Sequence, residues 1–415
     1  MAKSKTSQQA KKPDTKPTVS GFLASPQAKK RVDSKPTVSG FLPYGQGDMF
    51  PQNFKDAIDD SDTATAAVTA LAEFIIGNGL EDEALADLVV NNDGETLDQI
   101  AEGMAWNIAE GEVIVLHIGY NGMGQPNSLR SINWEQYRHL EPNEQGKLTH
   151  GAIFPFLENT FKRDLKKKHT LCPLFNDDPE VVLSQIAAVN GIHNYYGQLL
   201  YFKTGRPTSD YYARPRLFGT VKNLETEAEL TEYDFSTVTN GFNISGIWKQ
   251  IKSKKSPAED GEDDDSTVSK LEEHQGGKNG GKLLVYEAED KEELDAAGFI
   301  STSGAELANR YNATNDRVPI RIARRARVPN ELINIRKAGG IAPTGEEMKV
   351  ASQIMQQGVN KSQRCIDMVL TWVMANWHEP LPVSNPKYNL ENLNYFSDKT
   401  TTSNERTDPS VAQPG

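Results

Sequence analysis

From residue 219 onward, Val221, Leu224, Ala228, Thr231, Phe235 and Val238 recur at alternating steps of three and four. That spacing predicts a helix over 219–240 with a single narrow packing seam. A stripe so thin cannot sink the helix into one core. Most of its surface is left to solvent or to a neighbour. The next stretch deepens the constraint. Residues 252–265 run from basic to acidic and end in Glu259-Asp260-Gly261-Glu262-Asp263-Asp264-Asp265, which reads as a solvated loop. A strand is expected at 282–287. A second helix is expected at 305–327, interrupted around Pro319. Gly339-Gly340-Ile341-Ala342-Pro343 reads as a loop before a long helix at 346–377, whose apolar face is Ala351, Ile354, Met355, Cys365, Ile366, Val369, Leu370 and Val373.

The first half reads differently. Acids at Asp60 and Asp62 around Ser61 mark a helix start. Ala66, Val68, Ala70, Leu71, Phe74 and Ile75 continue that helix to a stop at Gly77-Asn78-Gly79. A helix at 97–109 precedes a β-branched strand at 111–119 and a hairpin-type turn at Asn121-Gly122. Shorter strands at 134–140, 148–156 and 199–202 and a helix at 179–190 complete an α+β pattern. Order is expected to begin near Asn53 and to fade from Lys399 into a Ser/Thr-rich tail.

Composition bounds the function. The chain has 415 residues, enough for two or three packed units, yet only 37% are hydrophobic. Part of it must stay unpacked or be buried only against partners. Lys and Arg number 45 against 57 Asp and Glu, a net charge of -12. Such a chain is poorly suited to wrapping phosphates, where affinity comes from cations displacing counterions. It can still guide DNA without gripping it. Cys172 and Cys365 form neither a disulfide framework nor a zinc ribbon. The start of the sequence is Lys-rich without the apolar run of a secretory signal. No segment approaches the roughly 18 apolar residues that span a bilayer. The most apolar helix is interrupted by Asp367, and the reading is of a soluble protein with no membrane partner.

One motif is exact. Lys16-Pro17-Thr18-Val19-Ser20-Gly21-Phe22-Leu23 recurs as residues 35–42. Two copies are too few for a solenoid, and the polar, basic spacer has the composition of a disordered arm, expected over 1–52. Each Val-Ser-Gly-Phe-Leu is either a short motif that docks in a groove on a partner or a duplication without function.

No catalytic set emerges. Gly276-Gly277-Lys278-Asn279-Gly280-Gly281-Lys282 imitates a phosphate loop, but Leu283 stands where Ser or Thr must reach the metal, and a strand follows instead of a helix. None of the seven histidines forms a His-x-x-x-His pair; His117, in an apolar strand, reads as a satisfied core residue. Asp56, Asp59, Asp60 and Asp62 have the chemistry to collect Mg²⁺, as in a metal-dependent nuclease, but stand where acids solvate and cap a helix. The chain reads as a non-enzyme, with no cofactor and no metal.

Several segments, in order, resemble the portal proteins of tailed bacteriophages. Phe74-Ile75-Ile76-Gly77-Asn78-Gly79-Leu80 is similar to the end of the family's first wing helix. Tyr211-Tyr212-Ala213-Arg214-Pro215 is similar to the Tyr-containing motif before the first stem helix, and Asn240-Gly241-Phe242-Asn243-Ile244-Ser245-Gly246-Ile247 to the exit from it. Val328-Pro329-Asn330-Glu331-Leu332, then Gly339-Gly340 and a helix with Gln353, Gln356, Gln357 and Gln363, resembles the second stem helix, tunnel loop and tunnel helix. The resemblance spans 65–392 and rests on the order of elements.

It implies an α/β wing at 53–218, a stem helix at 219–240, a clip-like β insertion at 241–299 and a second stem helix at 300–334. A tunnel loop at 335–345, a tunnel helix and wing return at 346–392 and a tail at 393–415 complete it, with little or no crown. The function implied is a ring, of twelve subunits in the family, at a capsid vertex of the virion. Double-stranded DNA would pass through it during packaging and ejection, and assembly would occur in the host cytoplasm. The terminase large subunit, a head-tail adaptor and the major capsid protein would be its partners. The seam residues Val221, Leu224, Ala228, Phe235 and Val238 become subunit-interface candidates. Gly339, Gly340, Pro343 and Gly345 become tunnel-loop residues. Arg336 and Lys337, beside that loop, are the first DNA-contact candidates. Arg324, Arg325 and Arg327 are the next. With Arg321 they form one basic run, in which Arg321, Arg324 and Arg325 share a helix face: the run touches DNA, pairs with a neighbour's acids, or is solvated. Another capsid or connector component is the competing reading.

Overall fold

A computed structural model describes residues 40–154, 169–207, 210–239, 247–251, 284–288, 304–335 and 343–393. The molecule is α+β. Its element order is α1 (Phe50–Asp59), α2 (Asp62–Ile76), α3 (Glu83–Ala86), α4 (Leu97–Gly111), β1 (Val113–Tyr120), β2 (Pro126–Ser131), β3 (Tyr137–His139), β4 (His150–Ile153), β5 (Thr170–Pro173), α5 (Pro179–Ala188), β6 (Gln198–Lys203), α6 (Val221–Thr239), β7 (Ile247–Ile251), β8 (Leu284–Ala288), α7 (Gly304–Ala326) and α8 (Gly345–Met374).

The core is the α2–α4 pair laid against β1, with α8 and α7 packed on α2. Ser61 starts α2 as expected, its hydroxyl oxygen accepting from the Ala64 N–H at 3.2 Å. A reciprocal capping box between Thr96 and Gln99 starts α4. Ala64, Ala67, Leu71 and Ile75 of α2 and Ile100, Met104 and Ile108 of α4 are all buried. Small residues bring the two helices close, and large ones fill the layer behind. β1 is central in an antiparallel sheet of order β2-β1-β6, which explains its continuous apolar run: neighbours pair on both edges and α4 covers a face. The β1–β2 turn closes on Asn121, whose side-chain oxygen accepts from Met123 and Gln125 N–H groups at 2.9 and 3.0 Å. A second antiparallel sheet, β3-β4-β5, joins the first through a Leu174–Leu199 bridge. β7 and β8 pair in parallel with each other.

The chain's return locks the far end of α2. Leu80 bridges Leu390, and the Asn78 N–H donates to the Glu391 carbonyl at 2.9 Å. Gly77 makes this possible. It has φ 62, ψ -132, and a Cβ there would lie 1.8 Å from the Glu391 oxygen. Asp367, which breaks the apolar run of α8, accepts from the Tyr388 N–H at 3.3 Å in the same returning segment.

Three expectations are corrected. The boundary at residue 52 falls earlier: Leu42 and Tyr44 are buried and α1 begins at Phe50. The anchor is Arg138, 1% exposed, which donates to Asp48 Oδ1 at 2.5 Å and to the Glu135 and Tyr137 carbonyls at 2.7 Å each. Around it Tyr44 stacks on Tyr212 at 4.2 Å and Tyr137 on Tyr201 at 4.6 Å. Second, Pro319 does not interrupt α7. Val318 and Ile322 on either side are buried, and Asn315, whose carbonyl loses its helical donor, is exposed and can turn to water. Third, Ile354 is 58% exposed and does not share the buried face of Met355 and Ile366.

Two substitutions test this packing. Gly77→Ala should cost about 2–3 kcal/mol in chemical denaturation, because both the backbone angle and the Glu391 oxygen resist a side chain. His139 is held neutral by burial, which pushes its pKa down to about 3, with Tyr137 Oη 2.8 Å from Nδ1. Below about pH 6.5 the unfolded chain binds a proton that the folded chain refuses, so stability falls as pH drops from about 6.5 toward 3. His139→Gln should flatten the slope by up to about 1.4 kcal/mol per pH unit over that window, measured as the difference between the two chains.

Candidate functional site

α6 and α7 form an antiparallel pair. Tyr233 late in α6 meets Tyr311 early in α7, ring centroids 5.3 Å apart. At the other end, a side chain at Gly219 would lie 3.3 Å from the Arg325 guanidinium. Two carboxylates fix this pair to the core. Glu227 of α6 reaches the N-terminus of α2, where Ser61 and Thr63 hydroxyls donate to it, Thr63 at 2.5 Å. An anion at a helix N-terminus opposes the positive end of the dipole. Glu112, in a left-handed conformation just past α4, accepts from Arg216 Nε at 2.6 Å. Arg216 also donates to the Ala326 carbonyl at 3.3 Å, which places a cation at the C-terminus of α7.

The seam on α6 divides. Val221 and Leu224 are buried in the chain's own core and are not offered to a neighbour; Ala228 is half-buried. Phe235 and Val238 are 65% and 62% exposed. One periodicity thus serves two environments, because the start of α6 runs along the core and its end runs beyond it. Val350 and Ile354, one turn apart on α8, are a second exposed apolar pair, at 45% and 58%. Helical spacing alone conceals this pair, since it assigns Ile354 to the inward face.

The arginine face is real as a surface. Arg317, Arg321, Arg324, Arg325 and Arg327 are all exposed, while Val318, Ile322, Ala323 and Ala326 fill the opposite side. Asp316, Arg317, Ile320, Arg321 and Arg324 line a shallow open hollow along it. Arg327 closes α7 with a positive φ of 63. Its N–H reaches the Arg324 carbonyl at 3.3 Å and the Val328 N–H the Ala323 carbonyl at 3.1 Å, a termination that glycine usually makes.

Arg336, Lys337, Gly339 and Gly340 lie outside the described residues, as does the glycine-rich 276–281 segment. Of the expected loop, Pro343 precedes Thr344, which caps α8 reciprocally with Glu347, and Gly345 is the first residue of α8, not part of the loop. The Asp56–Asp62 acids spread over the α1–α2 junction: Asp56 accepts from Gln52, Asp60 ends α1 and Asp62 opens α2. Among the described residues no group of three or more His, Cys, Asp or Glu is placed to hold a metal, and no helix is long and apolar enough to cross a membrane. His117 Nε2 lies 2.6 Å from the Tyr196 carbonyl, a satisfied histidine.

Arg327→Gly should raise stability by about 1 kcal/mol in thermal denaturation, since glycine adopts the left-handed angle without a Cβ clash.

No family model and no curated protein matches the sequence. Among solved structures the chain is similar to a chain in the neck of a native gene transfer agent particle computed with C12 symmetry, at 15% identity and a TM-score of 0.48, over 79% of this chain and 81% of that one. It is similar to a chain in the virion of a native gene transfer agent particle at 15% identity and 0.47, over 78% and 81%. It is also similar to a chain in the neck of an empty particle computed with C6 symmetry at 14% identity and 0.48, over 82% and 84%.

Proposed function

We propose that this chain is a portal-type ring subunit of a virion, a conduit for double-stranded DNA at the head-tail junction. The observation that carries the reading is the α6–α7 pair. It is fixed to an α/β body at one end by Glu227 and Arg216 and exposes Phe235 and Val238 toward the other. The chain between the two helices includes the β7–β8 pair. A lone subunit leaves these large apolar groups in water. A ring built from head-to-tail contacts covers them with the same neighbour at every step.

The charges suit the role. An overall charge of -12 discourages DNA from sticking to the channel wall. Arg321 and Arg324, exposed on α7, are then either local phosphate contacts or partners for a neighbour's acids. In this reading Arg336 and Lys337 flank a tunnel loop containing Gly339, Gly340 and Pro343, and touch the passing duplex. The terminase large subunit, a head-tail adaptor and the major capsid protein are its partners in particle assembly.

Electron microscopy and light scattering of the purified chain test this directly. A ring with a central hole is expected. Phe235→Asp with Val238→Asp should abolish the ring and leave a folded subunit, since both positions are exposed in it. A compact wild-type monomer that persists at micromolar concentration would overturn the proposal, and closed shells would favour a capsid component.

A further inference from the structure

Gly40-Phe41-Leu42, the end of the second repeat copy, runs along the end of β3 and the two residues after it. Phe41 bridges Leu140 in antiparallel fashion. The Leu42 N–H donates to the His139 carbonyl at 2.9 Å, and the Glu141 N–H donates to the Gly40 carbonyl at 2.9 Å. The Tyr212 hydroxyl donates to the Leu42 carbonyl at 2.6 Å. The side chains are read as well. The Phe41 ring stands edge-on to Phe154 at 5.5 Å and to His169 at 5.2 Å, and Leu42 is 3% exposed. Gly40 has φ 96, an angle that a residue with a Cβ rarely adopts. The cleft therefore selects three things in succession: a glycine, an aromatic ring and a buried aliphatic chain. This is strand addition to a sheet edge, with backbone bonds for affinity and side-chain sites for choice.

The same three residues stand at Gly21-Phe22-Leu23, after the same five residues. The copies diverge immediately afterwards. Tyr44, which stacks on Tyr212 and donates to the Ala213 carbonyl at 2.5 Å, has Ser25 as its counterpart. The second copy thus has an anchor that the first lacks, which makes it the resident ligand.

We infer that the cleft beside β3 is a binding site for the Gly-Phe-Leu sequence and that Gly21-Phe22-Leu23 is its second ligand, able to replace Gly40-Phe41-Leu42. The cleft would serve in this way whether or not the chain forms a ring. The two ligands differ in tether. Seven residues separate Leu42 from Phe50, whereas 26 separate Leu23 from it. Fully extended, the longer link spans at most roughly 90 Å, which allows the first copy to enter the cleft of a second molecule as well as its own.

Four full-length chains decide the matter: wild type, F22A/L23A, F41A/L42A, and all four substitutions together. The readouts are thermal denaturation and hydrogen exchange at the Glu141 amide. F22A/L23A should match wild type. F41A/L42A should keep most of the Glu141 protection because the first copy takes over. The quadruple variant should lose at least about a further tenfold in protection, or fail to fold. Rescue in F41A/L42A that grows with protein concentration assigns the incoming copy to a second molecule, and rescue independent of concentration assigns it to the same chain; either supports the inference. Equal behaviour of F41A/L42A and the quadruple variant, or failure of F41A/L42A to fold, would overturn it.

Discussion

Glu227 ties α6 to the start of α2. It is a residue of α6 whose carboxylate lies at the N-terminus of α2, accepting from both Ser61 and Thr63. A bond of this kind is strong because a charge meets unpaired N–H and O–H donors at the positive end of a dipole. It also sets a boundary. Before Glu227, α6 lies on the core, and Val221 and Leu224 are buried; beyond it, the helix exposes Phe235 and Val238. Arg216 does the corresponding work on α7, joining the Ala326 carbonyl to Glu112. Two ion-assisted joints thus reinforce the apolar contact that Val221, Leu224, Val318 and Ile322 make between the helical pair and the α/β body.

The elements themselves were legible in the sequence where local rules decide them. The β-branched run of β1, the Ser61 cap, the Gly77 stop and the length of α8 all came from spacing and terminal residues. What spacing does not encode is which partner covers an apolar residue. Val221 and Phe235 occupy the same stripe, yet one is buried and the other is in water. The difference lies in where α1 and α7 stand, which is long-range information. Residues 40–48 escaped for the same reason. Their glycine- and proline-containing sequence has no period, and they are held by Arg138 and Tyr212, about 90 and 170 positions away by the bonds they make.

Pro319 shows the opposite failure, a strong local rule overridden. Proline costs a helix about 3 kcal/mol in isolation through a lost bond and a ring clash. Burial of Val318, Ile322, Ala323 and Ala326 along one side of α7 outweighs that cost at roughly 1.5–3 kcal/mol for each large side chain. The left-handed Arg327 is a related case: a short helix end holds an angle that its residue type disfavours, because two backbone bonds and the burial of Val328 fix the turn.

Charge on the two helices bears on how copies would meet. Exposed positions of α6 include Glu225, Asp234 and the apolar Phe235 and Val238, whereas those of α7 include Arg317, Arg321 and Arg324. A two-fold contact through α7 would set arginine against arginine, and one through α6 would set acid against acid. Each arrangement forces like charges together across an interface that already has to lose water. A head-to-tail contact instead sets α6 of one copy against α7 of the next. Opposite charges then face each other and the apolar end of α6 is covered. In the proposed ring such a contact repeats at every step and ends only by closing on itself. The sign pattern on one antiparallel pair favours joining unlike helices over joining like ones.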